Sequence, residues 1–468
     1  MSGRSRSINT ICVAMSVMLM LAPSSLVGQS DATPQASDLT KQIAELKAMI
    51  QRLQNRANEL EAKVSAMPPQ QKPVVQAAEQ VAPTPAGQTA AAPEPASNLL
   101  SGTSVNFMVD GYYQHGFNNP IGRVNLLRAY DVIDAFALNQ AVVVFENAPD
   151  PEHGKRYGLR LDLQFGQATA TLQGNAANEP RPEVYRNIFQ AYGTYVIPVG
   201  SGLTADFGKW ASSLGIESNY TQSQLNYSRS YWFNFLPFYH TGVRMNYQLN
   251  KAVGLNYWIT NGTQQTEPFN GFRDQCFGLN LQPTKNLSWN INYYVGQEHP
   301  DIVFLPGSTN PSLPSDQGLP FAPIPGAPEG KLHVFDSYAT WNVSPKLTLA
   351  LEADYVLQRL YENSPPSHAS GGAGYARYQL SPRVAVASRF EYLSDRGGLF
   401  SGKTQALKET TFTIEQKIAE GLIMRQEWRR DFSNQPYFLT DTLGILKREQ
   451  DTATMGIVWW FGPKKAPW

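Results

Sequence analysis

Charged side chains alternate with apolar ones in several short segments of this sequence. In the segment RYGLRLDLQFG, residues 156–166, Arg160 and Asp162 lie between three leucines. Every second side chain of a β-strand lies on the same face, so the two charges share one face and the leucines share the other. Neighbouring charges of opposite sign can form ion pairs along a wall and can act on dissolved ions. The segment therefore predicts a strand that separates an apolar medium from water.

The same alternation assigns further side chains to the hydrated face. The segments 105–114, 239–249, 347–355 and 422–430 all repeat it. Acids only slightly outnumber bases on this face, which indicates weak charge selectivity if the space holds water. For most of these groups, a cross-strand ion pair that braces the wall is a simpler role than selectivity. The side chains predicted to line the space are Asp110, Arg160, Asp162, Asp206, His240, Arg244, Glu352, Asp354, Arg377, Arg389, Glu391, Arg425, Glu427 and Arg429, and Glu409, Glu415 and Lys417 share their parity.

Residues for catalysis or metal binding are sparse in the sequence. The six histidines have no metal-ligand spacing, and no nucleophile elbow, phosphate-binding loop or dinucleotide-binding turn occurs in a suitable context. His240 with Ser228 or Ser230 is the one candidate catalytic pair, and a polar histidine inside the structure is the simpler interpretation. We therefore expect no enzyme activity, no cofactor and no metal.

Net charge and cysteine content narrow the classes of function. The 38 basic and 38 acidic residues give a formal net charge of zero, which argues against a nucleic-acid partner. Residues 1–30 have Arg4 and Arg6 before a short apolar stretch and then small residues. This order is typical of a cleaved signal peptide, and an uncleaved anchor helix is the alternative. Cys12 lies in this segment, so the mature chain keeps Cys276 alone, which cannot form an internal disulfide.

Residues 38–67 carry an unbroken heptad pattern, which predicts an α-helical coiled coil in the periplasm. Its seam consists of Leu39, Ile43, Leu46, Ile50, Leu53, Ala57, Leu60 and Val64. The residue types along the seam favour a dimer, whereas Arg56 and Glu61 resemble a short trimer motif of coiled coils. A lone amphipathic helix that packs on its own domain is the alternative. Residues 68–103 are rich in Pro, Ala and Gln, which predicts a flexible linker.

Connections of two lengths alternate along the rest of the chain. Short ones such as 198–202 and 283–286 lie between long ones such as 211–238 and 298–330. Strands with short turns at one end and long loops at the other are typical of outer-membrane barrels. About sixteen strands fit residues 104–468, so the sequence predicts an all-β, transmembrane, antiparallel up-and-down barrel. A soluble β-sandwich would explain the alternation but not the difference between the two sets of connections.

Four segments carry a family resemblance: VDGYYQ (109–114), NLLRAYDVIDAFALNQA (125–141), FGKW (207–210) and YSRSYWFNFLPFYHTGVRMNY (227–247). They are similar to the β-barrel porins of the OmpL-like family of Gram-negative bacteria. The resemblance implies a barrel with a passive pore in the cell outer membrane. The alternating segment 453–461 also resembles the signal that the barrel assembly machinery reads, although GPKKAPW follows it.

The third long loop, 211–238, is rich in aromatic residues and carries Glu217 and Arg229. Its apolar side chains would be exposed to water on the outside, and in porins the third loop often folds inward, so we expect it to constrict the channel. Aromatic side chains there could stack on sugar rings. Aromatic belts at the membrane interfaces are the commoner role of Tyr and Trp.

These patterns together predict an outer-membrane porin for passive diffusion of small hydrophilic solutes, with sugars among the candidates. An envelope-tethering protein, whose coiled coil links the barrel to the cell wall, is the alternative. Sixteen-strand porins commonly associate as trimers, and the helices of residues 38–67 need partners. A homotrimer surrounded by outer-membrane lipid is therefore favoured over a dimer.

Overall fold

The computed structural model describes residues 102–173, 179, 181–304, 321–324 and 326–463. The chain divides into two units, Met1–Ala92 and Pro93–Trp468, and the fold belongs to the second. The predicted signal peptide, the coiled coil and all but the last two residues of the linker lie outside the described residues and stay predictions.

Sixteen antiparallel strands form a closed barrel, because the first strand pairs with the second and also with the last. The barrel strands are β1 Ser104–Gly116, β2 Ala135–Asn147, β3 Tyr157–Phe165, β4 Ile188–Ile197, β5 Leu203–Ala211, β6 Tyr239–Asn250, β7 Val253–Thr260, β8 Asp274–Thr284, β9 Leu287–Gly296, β12 Leu332–Asn342, β13 Leu347–Gln358, β14 Ser367–Ser381, β15 Val384–Arg396, β16 Gln405–Ala419, β17 Leu422–Ser433 and β20 Glu449–Phe461. Two small hairpins lie in the loops: β10 Ile302–Phe304 with β11 Phe321–Pro323, and β18 Phe438–Leu439 with β19 Leu446–Lys447. The predicted sixteen-strand barrel is confirmed.

The two faces of the wall differ as the alternation predicts. On β5, Phe207 is 73% exposed on the exterior, whereas its neighbour Asp206 is 4% exposed on the interior. On β3, Tyr157 and Leu159 are exposed and Arg160 is buried. A closed barrel pairs every backbone N–H and C=O group between strands, which is what a sheet needs inside a bilayer. The apolar exterior and the charged interior are therefore the two faces of one wall.

One long loop is shorter than the sequence indicates. The spacing predicts a loop over 359–372, but β14 already begins at Ser367 and pairs with β13 and β15 from there on. The segment SHASGG contains Gly371 and Gly372, which lack side chains that favour strands. Pairing with β13 and β15 holds this segment in a strand, although its residue types do not favour one.

Short helices lie in the loops. They are α1 Gln167–Leu172, α2 Pro182–Tyr185 and α3 Tyr231–Phe235, together with 3₁₀ turns at Pro151–His153 and Thr221–Ser223. The Ser230 hydroxyl accepts a hydrogen bond from the Phe233 N–H, which caps the start of α3. No helix in the described ranges is long and apolar enough to cross a membrane.

Candidate functional site

The loop between β5 and β6, residues 212–238, crosses the inside of the barrel and is called the interior loop here. Its backbone N–H groups donate to carboxylates on strands far from its two ends. Ile216 donates to Glu352 on β13 at 3.0 Å, and Trp232 donates to Glu391 on β15 at 2.9 Å. A segment that is joined to β5 and β6 can reach these strands only through the interior.

Arginines of the opposite wall satisfy the carbonyl groups of the interior loop. Arg425 on β17 donates to the carbonyl oxygens of Thr221 at 2.7 Å and Gln224 at 2.6 Å. Arg389 on β15 donates to the carbonyl oxygen of Ser228 at 2.8 Å. Buried carbonyl groups outside regular secondary structure need such donors. The predicted basic residues therefore position the loop.

Hydroxyl groups of the interior loop bind acids of the wall. Tyr227 Oη donates to Asp110 on β1 at 2.7 Å, and Thr221 Oγ1 donates to the same carboxylate at 2.5 Å. Tyr231 Oη donates to Asp431 on β17 at 2.8 Å. Glu427 on β17 accepts the N–H groups of Tyr227 at 2.7 Å and Ser228 at 3.0 Å. Tyr227 and Tyr231 of the loop are thus fixed in place by their hydroxyl groups.

Ion pairs join most of the predicted acids and bases. Arg389 lies 2.7 Å from both Glu409 and Glu217, the second of which belongs to the interior loop. The other pairs are Arg160–Asp162 at 2.9 Å, Arg244–Asp206 at 2.7 Å, Arg377–Glu415 at 2.8 Å, Arg425–Glu415 at 2.7 Å and Arg429–Asp431 at 2.9 Å. A buried ion pair tolerates desolvation when further hydrogen bonds satisfy its remaining polar atoms, as the carbonyl oxygens of Thr221 and Gln224 do for Arg425. The contribution of these residues to the lining of an open channel stays a prediction.

Lys417, which was singled out by parity, and Arg229, which was singled out in the third long loop, have other surroundings. Lys417 lies near the turn after β16, is exposed and pairs with Glu420. Arg229 in the interior loop is buried and donates to the carbonyl oxygens of Tyr227 and Asn219, so it holds the loop's own backbone.

The serine–histidine pair considered in the sequence does not form. His240 is buried, and its ring contacts Ser212 Oγ at 3.1 Å and the Gly262 carbonyl oxygen at 3.3 Å. The hydroxyl of Ser228 accepts from Arg389, and that of Ser230 caps α3. The hypothesis that His240 activates either of these serines is wrong, because the interior loop carries both of them toward β15.

Several charged interior residues were missed by the sequence reasoning. Asp336 on β12 and Asp431 on β17 are buried and could have been found by extending the same parity along their strands. Lys209 on β5 is also buried, but it shares the parity of the exposed Phe207, so alternation does not predict its burial. Arg128 lies in the loop between β1 and β2 and pairs with Asp431 at 2.6 Å. No alternation marks Arg128, because it does not lie in a strand.

A cavity of about 260 Å³ lies between the interior loop and the wall formed by β3 to β6. Arg160 and Arg244 line it from the wall, and Glu217 lines it from the loop. The Arg244 guanidinium also lies 5.4 Å from the ring centre of Tyr192, within the range of a cation–π interaction. The cavity therefore has charged groups on two opposite sides.

Two loops outside the barrel strands are joined by an ion pair. Arg181 Nε lies 2.6 Å from Glu267 Oε2, and its Nη2 contacts Oε1 of the same carboxylate. The hydrogen bond from Arg181 lowers the pKa of Glu267 below its ordinary value of 4.5. Nearby, burial raises the pKa of Glu179, whose carboxylate accepts the N–H group of Thr266. The loops after β3 and β7 are thus held to each other.

Comparison with known proteins points to one family. The family model described as "Putative beta-barrel porin-2, OmpL-like" matches residues 102–461. No curated protein matches the chain in sequence.

Solved structures of outer-membrane proteins are similar to this chain at low sequence identity. An anion-selective porin from Comamonas acidovorans is 8% identical, with 77% of this chain and 99% of that chain covered and a TM-score of 0.50. OprB of Pseudomonas putida is 12% identical, with coverage of 77% and 94% and a TM-score of 0.48. OmpF of Salmonella typhi, in complex with daunomycin, is 10% identical, with coverage of 77% and 97% and a TM-score of 0.45. At 8% identity, the porin from Comamonas acidovorans shows the fold alone.

Proposed function

The chain belongs to the OmpL-like β-barrel porin family, and we propose that it forms an aqueous channel that the interior loop constricts. In this proposal, small hydrophilic solutes diffuse passively across the outer membrane through the barrel. A barrel of sixteen strands is too wide for its own side chains to fill, so the interior holds water wherever a loop does not occupy it. The observation that carries the proposal is the set of hydrogen bonds from the interior loop to β1, β13, β15 and β17.

The narrowest passage, in this proposal, lies between the interior loop and the wall of β3 to β6. Arg160 and Arg244 line the cavity on one side of this passage, and Glu217 lines it on the other. Glu217 is paired with Arg389, and both wall arginines are paired with aspartates. Because paired charges largely cancel at a distance, we expect weak charge selectivity. Sugars remain candidate solutes because the aromatic residues Tyr192 and Tyr220 line this cavity.

The remaining features of the proposal rest on the sequence. In this proposal, residues 1–30 direct export. The coiled coil of residues 38–67 lies in the periplasm, and a flexible linker connects it to the barrel. The heptad seam needs partners, and barrels that already associate would raise the local concentration of the helices. We therefore favour a homotrimer. The barrel assembly machinery would insert each chain.

Conductance in planar lipid bilayers tests the proposal. The full mature chain and a variant that lacks residues 38–103 should both give stepwise ion conductance of the same unit size. Folding of each is checked by heat-modifiable mobility in gels. A folded barrel that conducts no ions in either form would overturn the channel and favour a tether that links the membrane to the cell wall.

A further inference from the structure

Three buried carboxylates meet on the interior wall near the start of the interior loop. Asp336 lies on β12, and Glu352 and Asp354 lie on β13. One carboxylate oxygen from each lies within 4.8 Å of the others. Asp336 and Asp354 are direct partners in the strand register. Like charges that face each other across two strands repel, so this arrangement needs compensation.

The donors around these carboxylates are all neutral. Asp336 accepts from the Gly215 N–H at 3.0 Å and from Asn292 Nδ2 at 2.7 Å. Glu352 accepts from the Ile216 N–H at 3.0 Å and from Tyr375 Oη at 3.2 Å. Within the described part of the chain, no arginine or lysine forms an ion pair with any of the three. Their combined negative charge is therefore not balanced by side chains in contact.

Asp354 gives an independent indication of a missing partner. Its side chain is 5% exposed, and neither of its carboxylate oxygens accepts a hydrogen bond from the residues that the structure describes. Burying an ionised carboxylate without a partner is very costly. Other buried acids of the wall each have at least one partner: Glu409 pairs with Arg389, Asp431 pairs with Arg429, and one oxygen of Glu391 accepts from the Trp232 N–H. The Asp354 carboxylate faces that of Asp336 without a donor between them among the described residues, which points to a positively charged ligand.

We propose that Asp336, Glu352 and Asp354 bind one Ca²⁺ ion at the start of the interior loop. Ca²⁺ prefers oxygen ligands, takes six to eight of them, and tolerates irregular geometry. Mg²⁺ demands a near-ideal octahedron and keeps its waters, so it suits the cluster less well. The ion would balance the two facing aspartates and supply Asp354 with its partner.

The ion would also hold the interior loop. Asp336 and Glu352 are both hydrogen-bonded to the loop backbone, at Gly215 and Ile216. Gly215 has a φ of +84°, a conformation that favours glycine, and a Cβ there would lie 3.0 Å from Glu352 Oε1. The loop backbone at Gly215 therefore lies closer to the cluster than a residue with a Cβ would comfortably allow. Removal of Ca²⁺ should loosen this end of the loop.

Calcium binding by the full mature chain in detergent tests the proposal, independently of any conductance. After treatment with a chelator, titration calorimetry should show one Ca²⁺ bound per chain. In a second measurement, the luminescence of added Tb³⁺ should rise as Tb³⁺ binds and fall when Ca²⁺ displaces it. Asp354→Asn should weaken Ca²⁺ binding by at least tenfold. The control is Asp395→Asn, because the Asp395 carboxylate is equally buried but accepts from three backbone N–H groups of the following turn.

The outcomes distinguish a Ca²⁺ ion bound by the three carboxylates from a proton shared between two of them. Loss of binding in Asp354→Asn, with binding kept in Asp395→Asn and normal heat-modifiable mobility in both, supports the site. A wild-type chain that binds no Ca²⁺ would overturn it and leave a proton shared between Asp336 and Asp354. Binding that is equal in wild type and Asp354→Asn would also overturn it. If Asp354→Asn fails to fold, Glu352→Gln serves as the second variant with the same expected loss.

Discussion

Arg425 donates to the carbonyl oxygen of Gln224 at 2.6 Å, although the two residues are 201 positions apart in the sequence. The first lies on β17 and the second in the interior loop, so this contact spans the inside of the barrel. Arg425 also pairs with Glu415 at 2.7 Å. One guanidinium therefore joins the wall and the loop.

Replacing Arg425 by Met should destabilise the barrel. The change removes the donor to the carbonyl groups of Thr221 and Gln224. It also removes one of the arginines that form an ion pair with Glu415. We expect a loss of about 3 kcal/mol, since buried polar groups lose their partners. The measurement is the free energy of unfolding in urea with lipid vesicles. The matched control is Lys417→Met, because the exposed pair of Lys417 with Glu420 should contribute less than about 1 kcal/mol. Equal losses would contradict the role of Arg425.

A charge on the exterior face should be costly at mid-strand. Leu161→Arg places a guanidinium against lipid and should destabilise the barrel by about 2–4 kcal/mol in a folding titration into vesicles. Leu161→Met, the control, should be nearly neutral. A small effect of Leu161→Arg would mean that this position does not face lipid.

We expect Asp162, the interior neighbour of Leu161, to tolerate substitution less well than the sequence indicates. Alternation alone predicts that Asp162→Asn has a mild effect. In the structure, Asp162 accepts from Arg160, from Gln190 at 2.5 Å and from Tyr220. Loss of its charge weakens all three interactions.

The contact between the loops after β3 and β7 should depend on pH. Arg181 lowers the pKa of Glu267, so the ion pair stabilises the loops fully above the ordinary pKa of 4.5 and is lost as the pH falls through the lower folded value. Hydrogen exchange of the N–H groups near Glu267 should therefore show faster local opening below about pH 4.5. Burial raises the pKa of Glu179 and acts in the opposite direction, so the comparison with Glu267→Gln is essential. If that variant keeps the same pH dependence, Glu267 is not its source.

Arg244 should influence which ions pass. Arg244→Gln leaves the charge of Asp206 uncompensated beside the cavity, so the reversal potential in a salt gradient should shift toward cations. Arg430→Gln is the control, because Arg430 on β17 forms a more exposed ion pair, with Glu449 on β20. A shift of equal size in both variants would argue against a passage beside Arg244.

The sequence predicts the wall well because its information is local. Alternation places Asp206 inside and Phe207 outside, and the strand count follows from the turns. Contacts of the interior loop are not local, since they depend on which strands come to face it across the barrel. Hence the pairing of Arg425 with Gln224 and the interior position of Arg128 could not be predicted from spacing. Asp336 could have been predicted, because it alternates with the exposed Phe335 on a regular strand.

The step size of single channels tests the central claim most directly. Deleting residues 218–233 should remove the part of the interior loop that crosses the barrel and leave β5 and β6 connected. If the loop constricts a channel, the folded variant should conduct in unit steps several times larger than those of the unchanged chain under the same salt. Unit steps of the same size in both proteins would contradict the account.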